Sequence, residues 1–239
     1  MITTNSWLLT RPIAHRGLHN EEYPENSLGA FQRCIDKNYP IELDVRLLND
    51  NTLVVFHDDT LARMTGLDGY VSQINKEDLK NCKLNKTNFV IPTFREVLDL
   101  VDGKVPILIE LKTANSSVGP LEKILTDTLT DYTGEYAVQS FNPFSVGWFT
   151  EHYPDIIRGQ LSCLYKNSDM PFWKKMYLKR MNYNKKNKPD FISYDFHDFP
   201  NKYLDKFDGP ILAWTVRNEK HLEMAKKYAD NIIFENIYD

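Results

Sequence analysis

The chain has 239 residues, a formal net charge of −4 and 42% hydrophobic residues, enough to bury a sizeable core in one α/β barrel or in two smaller domains. A slightly negative balance offers nucleic acid no general attraction. Cys34, Cys82 and Cys163 form an odd set without metal-ligand spacing, which suits a reducing compartment better than a disulfide framework.

Residues 1–7 carry neither a basic region nor a long apolar run, so no signal peptide is evident. The apolar stretches are strand-sized, well short of the roughly 20 residues that span a bilayer. Asn85-Lys86-Thr87 and Asn115-Ser116-Ser117 match the N-glycosylation pattern, but without a secretion signal they read as chance matches. The expectation is a soluble cytoplasmic protein without stable membrane association.

In chain order, strand-like runs fall near residues 12–16, 40–46, 106–112, 136–141, 157–162, 190–194, 211–216 and 231–235. Amphipathic stretches at 27–37, 93–101, 121–132, 145–152, 171–184 and 219–228 lie between them, the alternation of βα units with a parallel sheet. The run 53–57 breaks this rhythm. Nine residues separate Asp44 from Val54, whereas a parallel crossover needs about a dozen or more. Asn49-Asp50-Asn51 supplies turn chemistry, so the run is predicted to return as a hairpin on the second strand. Eight parallel strands then remain, which predicts one (β/α)8 TIM barrel over residues 1–239 with a hairpin extension. Weak periodicity over residues 59–88 predicts a short insertion over the barrel mouth. Four residues follow Glu235, too few for a full eighth helix.

Ionisable residues gather where strands finish: His15 and Arg16, then Glu42 and Asp44, then His57, then Glu110 and Lys112. Residues two apart on a strand share a face, so Glu42 and Asp44 form one carboxylate pair, and Glu110 shares a face with Lys112. Clustered carboxylates repel unless a cation lies between them, and three hard oxygen ligands suit Mg²⁺ or Ca²⁺ rather than zinc. The structural alternative pairs Glu42, Asp44 and Glu110 with Arg16, Lys112 and Arg46 as salt bridges. Arg16 and Lys112 beside a cation would hold a phosphate, although either alone is equally an ion-pair residue. His15 and His57 form a candidate acid–base pair. His19, His152, His197 and His221 are read as structural. Together the set describes a metal-assisted phosphoester site.

Longer motifs carry a resemblance. Ala14-His15-Arg16-Gly17, Pro24-Glu25-Asn26-Ser27, Ile41-Glu42-Leu43-Asp44-Val45, Val54-Val55-Phe56-His57-Asp58, Ile109-Glu110-Leu111-Lys112 and Ala213-Trp214-Thr215-Val216 occur in that order. The ordered set resembles the glycerophosphodiester phosphodiesterase family. That resemblance implies a barrel enzyme that uses a divalent cation to hydrolyse glycerophosphodiesters to sn-glycerol 3-phosphate and an alcohol. It implies Glu42, Asp44 and Glu110 as metal ligands, His15 and His57 as catalytic residues, and Arg16 and Lys112 as phosphate contacts. Trp214 would pack on the glycerol, or else fill the barrel core. Asn26 would hold the mouth together or cap the helix that begins at Ser27. The chain departs from the family in its final strand, Ile232-Ile233-Phe234-Glu235-Asn236, where many members show a Thr-Asp pair, and at Gly29, where the family often has a better helix former. Neither departure is expected to touch the catalytic set.

Two rivals remain. A related phospholipase D-like or sphingomyelinase-like barrel would act on intact lipids, for which the basic segment 173–181 could meet an anionic membrane. In the bland reading Trp173, Met176, Tyr177 and Met181 pack on the barrel and the lysines are solvated. A non-catalytic phosphodiester-binding protein on the same fold is the second rival, disfavoured by the complete residue set. The loop 163–170 is expected to shape the alcohol side. The partner is a small-molecule glycerophosphodiester, not a nucleic acid.

Overall fold

A computed structural model of the chain describes residues 2–113, 118–166 and 168–238; the Asn115-Ser116-Ser117 motif and Asn167 of the loop 163–170 lie outside the described residues. Nine strands form one sheet: β1 (Ile13–His15), β2 (Ile41–Leu47), β3 (Leu53–Val55), β4 (Ile107–Leu111), β5 (Tyr136–Ser140), β6 (Arg158–Ser162), β7 (Phe191–Asp195), β8 (Ile211–Val216) and β9 (Asn231–Phe234). Eight run parallel, and β1 pairs with both β2 and β9, which closes the (β/α)8 barrel. β3 runs antiparallel to β2 outside that circle, with Val45 opposite Val55 and Leu47 opposite Leu53. The predicted turn makes this hairpin: Asn51 takes a φ of +63°, and the Asp50 carboxylate accepts the Thr52 amide at 3.0 Å.

Helices follow the strands much as the apolar spacing predicts, at Leu28–Asp36, Phe94–Val101, Pro120–Leu129, Pro143–His152, Phe172–Lys179 and Glu219–Ala225. Thr93 begins the second of these with a capping box, its hydroxyl and the Glu96 carboxylate serving each other's backbone N–H groups. The stretch 171–184 departs from expectation, since its helix stops at Lys179 and only a short turn, Asn184–Asn187, follows. Among the described residues no helix succeeds β9. A short helical turn, Trp7–Thr10, packs instead with the residues of the barrel floor.

The two-residue period of a strand sorts the barrel interior into layers. Ile13, Leu108, Ala137, Phe191, Leu212 and Ile233 cluster at the floor against Trp7 and Leu8. Two residues further along the same faces stand His15, Glu110, Gln139, Ser193, Trp214 and Glu235. Five of these six inward faces therefore change from apolar to polar on the way to the mouth, and the sixth carries Trp214. The floor is tightly filled: a side chain at Gly159 would put its Cβ 2.2 Å from the Phe191 ring, so only glycine leaves space for that ring.

Residues 59–88 form the predicted insertion, with a turn of helix at Ala62–Thr65 and three 3-10 segments at Val71–Gln73, Lys76–Asn81 and Leu84–Lys86. Short 3-10 turns carry no long amphipathic stripe, which explains the weak periodicity. Leu61, Met64, Val71, Leu79, Cys82 and Leu84 bury themselves with Val54, Phe56 and Ile91 in a core separate from the barrel's.

The basic segment departs from its bland reading. Met181 is buried, but Trp173 is 71% exposed and Phe172 77% exposed, with Tyr177 exposed as well. The helix after β6 ends within eight residues and buries none of them, so it lacks the apolar stripe needed to bring those rings onto the barrel. Among the described residues no helix is long and apolar enough to cross a membrane.

Candidate active site

Register brings the carboxylates together. Asp44 on β2 lies opposite Glu110 on β4, and His15 on β1 lies opposite Glu42. Glu42, Asp44 and Glu110 are all buried, and one oxygen from each falls within 4.8 Å of the others. His15, Arg16, Glu42, His57, Glu110, Lys112 and Trp214 line a single cavity of about 180 Å³. The sequence-derived set is thus gathered in one place.

The salt-bridge alternative describes part of the geometry. Lys112 reaches Asp44 at 2.9 Å and also bonds Glu110, while the Arg16 Nε lies 3.4 Å from Asp44. Arg46, however, turns away and donates to the His57 carbonyl and to Asp59. Two cations therefore face three carboxylates, and the imbalance appears in their titration. Burial, then the charges of Asp44 and Glu110, pushes Glu42 well above the usual carboxylate range. Burial also raises Glu110 despite Lys112. Burial would raise Asp44 too, but Lys112, His57 and Arg16 outweigh it and hold it far below its ordinary value. Three buried hard-oxygen donors with an excess of negative charge form a group that could hold a divalent cation.

The backbone after β1 is shaped around this cluster. Arg16 sits at φ +56°, Gly17 at +81° and Asn26 at +57°. The turn aims the Arg16 amide at Glu42 (3.1 Å). Asn26 donates its side-chain amide to Asp44 at 2.9 Å, while Ser27 caps the following helix by accepting the Ala30 amide. Of the two roles expected for Asn26, the structure therefore shows the bracing one.

Both imidazoles are held by carboxylates on Nδ1. The Nδ1 of His57 lies 2.7 Å from Asp58, and that of His15 pairs with Glu235. The Nε2 of His15 lies 3.9 Å from Glu42. Burial lowers the His57 pKa to about 4 and also lowers that of His15, where the Glu235 bond opposes it. Burial thus shifts both rings toward the neutral form, which can accept a proton.

Four carboxylate and guanidinium partners, Glu235, Arg217, Glu25 and Arg63, lie outside the set that the sequence singles out. Glu235 was read as a departure remote from the catalytic set; it contacts His15 directly, and Arg217 holds its other oxygen at 2.6 Å. Glu25 receives Arg16 at 2.7 Å and Arg63 at 2.7 Å, and Arg63 also binds Asp58. A chain of ion pairs thus runs from His57 through Asp58, Arg63 and Glu25 to Arg16. The position of Glu235 two residues beyond Ile233 was the available signal, because it repeats the parity of His15 after Ile13. For Arg63, inside an irregular insertion, the sequence offers no signal.

Trp214 stands at the cavity wall, half-buried, edge-on to Phe141 at 5.5 Å. Its indole N–H is buried without a hydrogen-bond partner among the described residues. His197, read as structural, bonds Asp195 at 2.8 Å and lines the same cavity. Next to the cavity, residues of the insertion, among them Asp59, Tyr70 and Ser72, form a larger groove of about 710 Å³ with Lys112, Thr113 and Phe141.

Comparison with known proteins agrees with this geometry. The profile of the glycerophosphoryl diester phosphodiesterase family matches residues 15–237. The Bacillus subtilis protein YhdW is 32% identical over 224 residues, which cover 87% of this chain and 86% of that one. The glycerophosphodiester phosphodiesterase of Caldanaerobacter subterraneus subsp. tengcongensis is 29% identical over 240 residues, covering 95% and 94%. Among solved structures, an Oleispira antarctica phosphodiesterase in complex with sn-glycerol-3-phosphate shares the fold with a TM-score of 0.77, at 21% identity and 95% and 93% coverage. With barrel, cavity residues and sequence profile in agreement, the chain belongs to the glycerophosphoryl diester phosphodiesterase family of enzymes.

Proposed function

We propose that the protein hydrolyses glycerophosphodiesters to sn-glycerol 3-phosphate and an alcohol with the help of Mg²⁺ or Ca²⁺. The observation that carries this reading is the buried triad Glu42, Asp44 and Glu110, two of whose members, Glu42 and Glu110, line one cavity with the imidazoles of His15 and His57. The triad would hold the cation, whose chemistry is to draw negative charge from the phosphodiester oxygens. Arg16 and Lys112 place positive charge beside the same oxygens and stabilise charge that grows in the transition state. One imidazole of the His15/His57 pair, entering the step neutral, takes the proton of the attacking oxygen, and the other, entering as imidazolium, gives its proton to the departing alkoxide. Trp214 supplies an apolar face and an unpaired N–H to the glycerol moiety. The product bound by the Oleispira antarctica phosphodiesterase supports sn-glycerol 3-phosphate as the retained half.

The test is turnover of glycerophosphocholine, glycerophosphoethanolamine and glycerophosphoglycerol by metal-stripped protein, with each cation added back. Glycerol 3-phosphate released only with metal, and lost in Glu42→Ala, is the expected result. Turnover that ignores metal, or metal binding without turnover of any substrate, overturns the reading.

A further inference from the structure

We propose that the segment after β6 is an interfacial docking surface that seats the protein on an anionic lipid bilayer. Residues 171–189 contain Lys174, Lys175, Lys179, Arg180, Lys185, Lys186 and Lys188 and not one Asp or Glu, in a chain whose net charge is −4. The local balance thus opposes the global one. Among the described residues one weak ion pair touches this group, Lys186 with Glu151 at 3.9 Å.

Large rings stand among these cations. Phe172 is 77% exposed, Trp173 71% and Phe144 52%. Phe144 and Tyr177 each pack edge-on against Tyr183, at 5.0 and 4.6 Å, so Tyr183 joins a ring of the Pro143–His152 helix to one of the Phe172–Lys179 helix. Apolar area of this size in water is unfavourable and marks a contact surface. Trp, Phe and Tyr beside Lys and Arg are the composition that enters a headgroup region: the rings reach the acyl boundary and the cations meet lipid phosphates. A single-stranded nucleic acid also uses cations beside aromatic rings, but in a groove that tracks the strand, and Phe144, Phe172 and Trp173 line neither the catalytic cavity nor the grooves beside it. Charge complementarity and exposed rings together favour the bilayer.

Placement ties the surface to the site. Helices after barrel strands begin at the mouth, so Phe144, Phe172 and Trp173 lie at helix starts on the catalytic side. The intervening loop contributes Cys163, Tyr165, Lys166 and Ser168 to a groove of about 440 Å³ that shares Asp195 and His197 with the catalytic cavity. A bilayer under the rings therefore places the mouth close to the headgroups. The surface itself does not depend on the proposed reaction, and the two fail separately.

The experiment is co-sedimentation of the full chain with vesicles of phosphatidylcholine alone and of phosphatidylcholine with 30% phosphatidylglycerol. The variants Phe172→Ser/Trp173→Ser and Lys174→Glu/Lys175→Glu are compared with the unaltered chain, and turnover of soluble glycerophosphocholine is followed in parallel. Binding to the anionic vesicles, reduced by high salt and falling at least tenfold in each variant while soluble turnover is unchanged, is the expected result; each basic residue near a charged surface contributes roughly fivefold. No binding to anionic vesicles overturns the proposal, as does binding by either variant that equals that of the unaltered chain. Binding of a single-stranded RNA lost in the same variants, without vesicle binding, assigns the patch to nucleic acid. A dimer dissolved by Phe172→Ser/Trp173→Ser assigns it to a second copy, and either result overturns the bilayer.

Discussion

Glu235 pairs with the Nδ1 of His15, and the opposite nitrogen of that ring lies 3.9 Å from Glu42. The pairing fixes the ring plane and places the proton on Nδ1, so the bare Nε2 faces the carboxylate cluster. Burial would raise Glu235, but the bonds from His15, His19 and Arg217 hold it well below its ordinary value. Replacing it with Ala leaves the His15 ring unrestrained. The expected outcome for Glu235→Ala is a fall in kcat of about 10–100-fold, the usual effect of losing a partner of this kind. KM should stay within a few-fold, measured by steady-state kinetics on a glycerophosphodiester.

Glu42 sets activity against stability. Its raised pKa means that the folded, metal-free protein binds this proton more tightly than the unfolded chain does. Stability without metal therefore falls as pH rises above about 4.3, the unfolded value, and through the folded pKa. Glu42→Gln removes that penalty. In urea titrations at pH 7 the metal-free variant should be more stable than the unaltered chain by about 1–3 kcal/mol, the scale of an uncompensated buried polar group. It should also turn over no substrate and gain nothing from added Mg²⁺ or Ca²⁺.

Asp58 works in the opposite sense. Burial raises it, but Arg63 and His57 bring it down to about 2. Its contribution is present above the unfolded value near 3.9 and is lost as pH falls toward 2. Because the group is partly solvated, the effect is about 1 kcal/mol rather than the full linkage value. Unfolding midpoints of Asp58→Asn and the unaltered chain should differ at pH 6 and converge below pH 3. A constant difference across that range would show that the Arg63 ion pairs contribute nothing.

Gly29 is a departure with a steric cause. In a helix Ala is better than Gly by about 1 kcal/mol, yet a Cβ here would lie 2.4 Å from the Phe89 ring and 2.6 Å from Tyr23. Gly29→Ala should therefore destabilise, by about 1–3 kcal/mol as overpacking does. Adding Phe89→Leu should recover part of that loss in thermal unfolding. Stabilisation by the single substitution would mean that the two rings move aside freely.

The sequence by itself determined what depends on local periodicity. Strand runs, the turn at Asn49-Asp50-Asn51 and the shared faces of Glu42 with Asp44 and of Glu110 with Lys112 follow from a two-residue repeat that needs no knowledge of neighbours. Tertiary structure alone decided which faces meet. Glu235 is 220 positions from His15 and reaches it because β9 closes onto β1. Arg63 finds Glu25 across 38 positions through an insertion without regular repeat. The exposure of Trp173 and Phe172 was likewise hidden, since an apolar residue on a helix is buried only if something packs against that side, and here nothing in the described chain does. Periodicity fixes the direction of a side chain relative to its own backbone; register, closure and packing choose its partner.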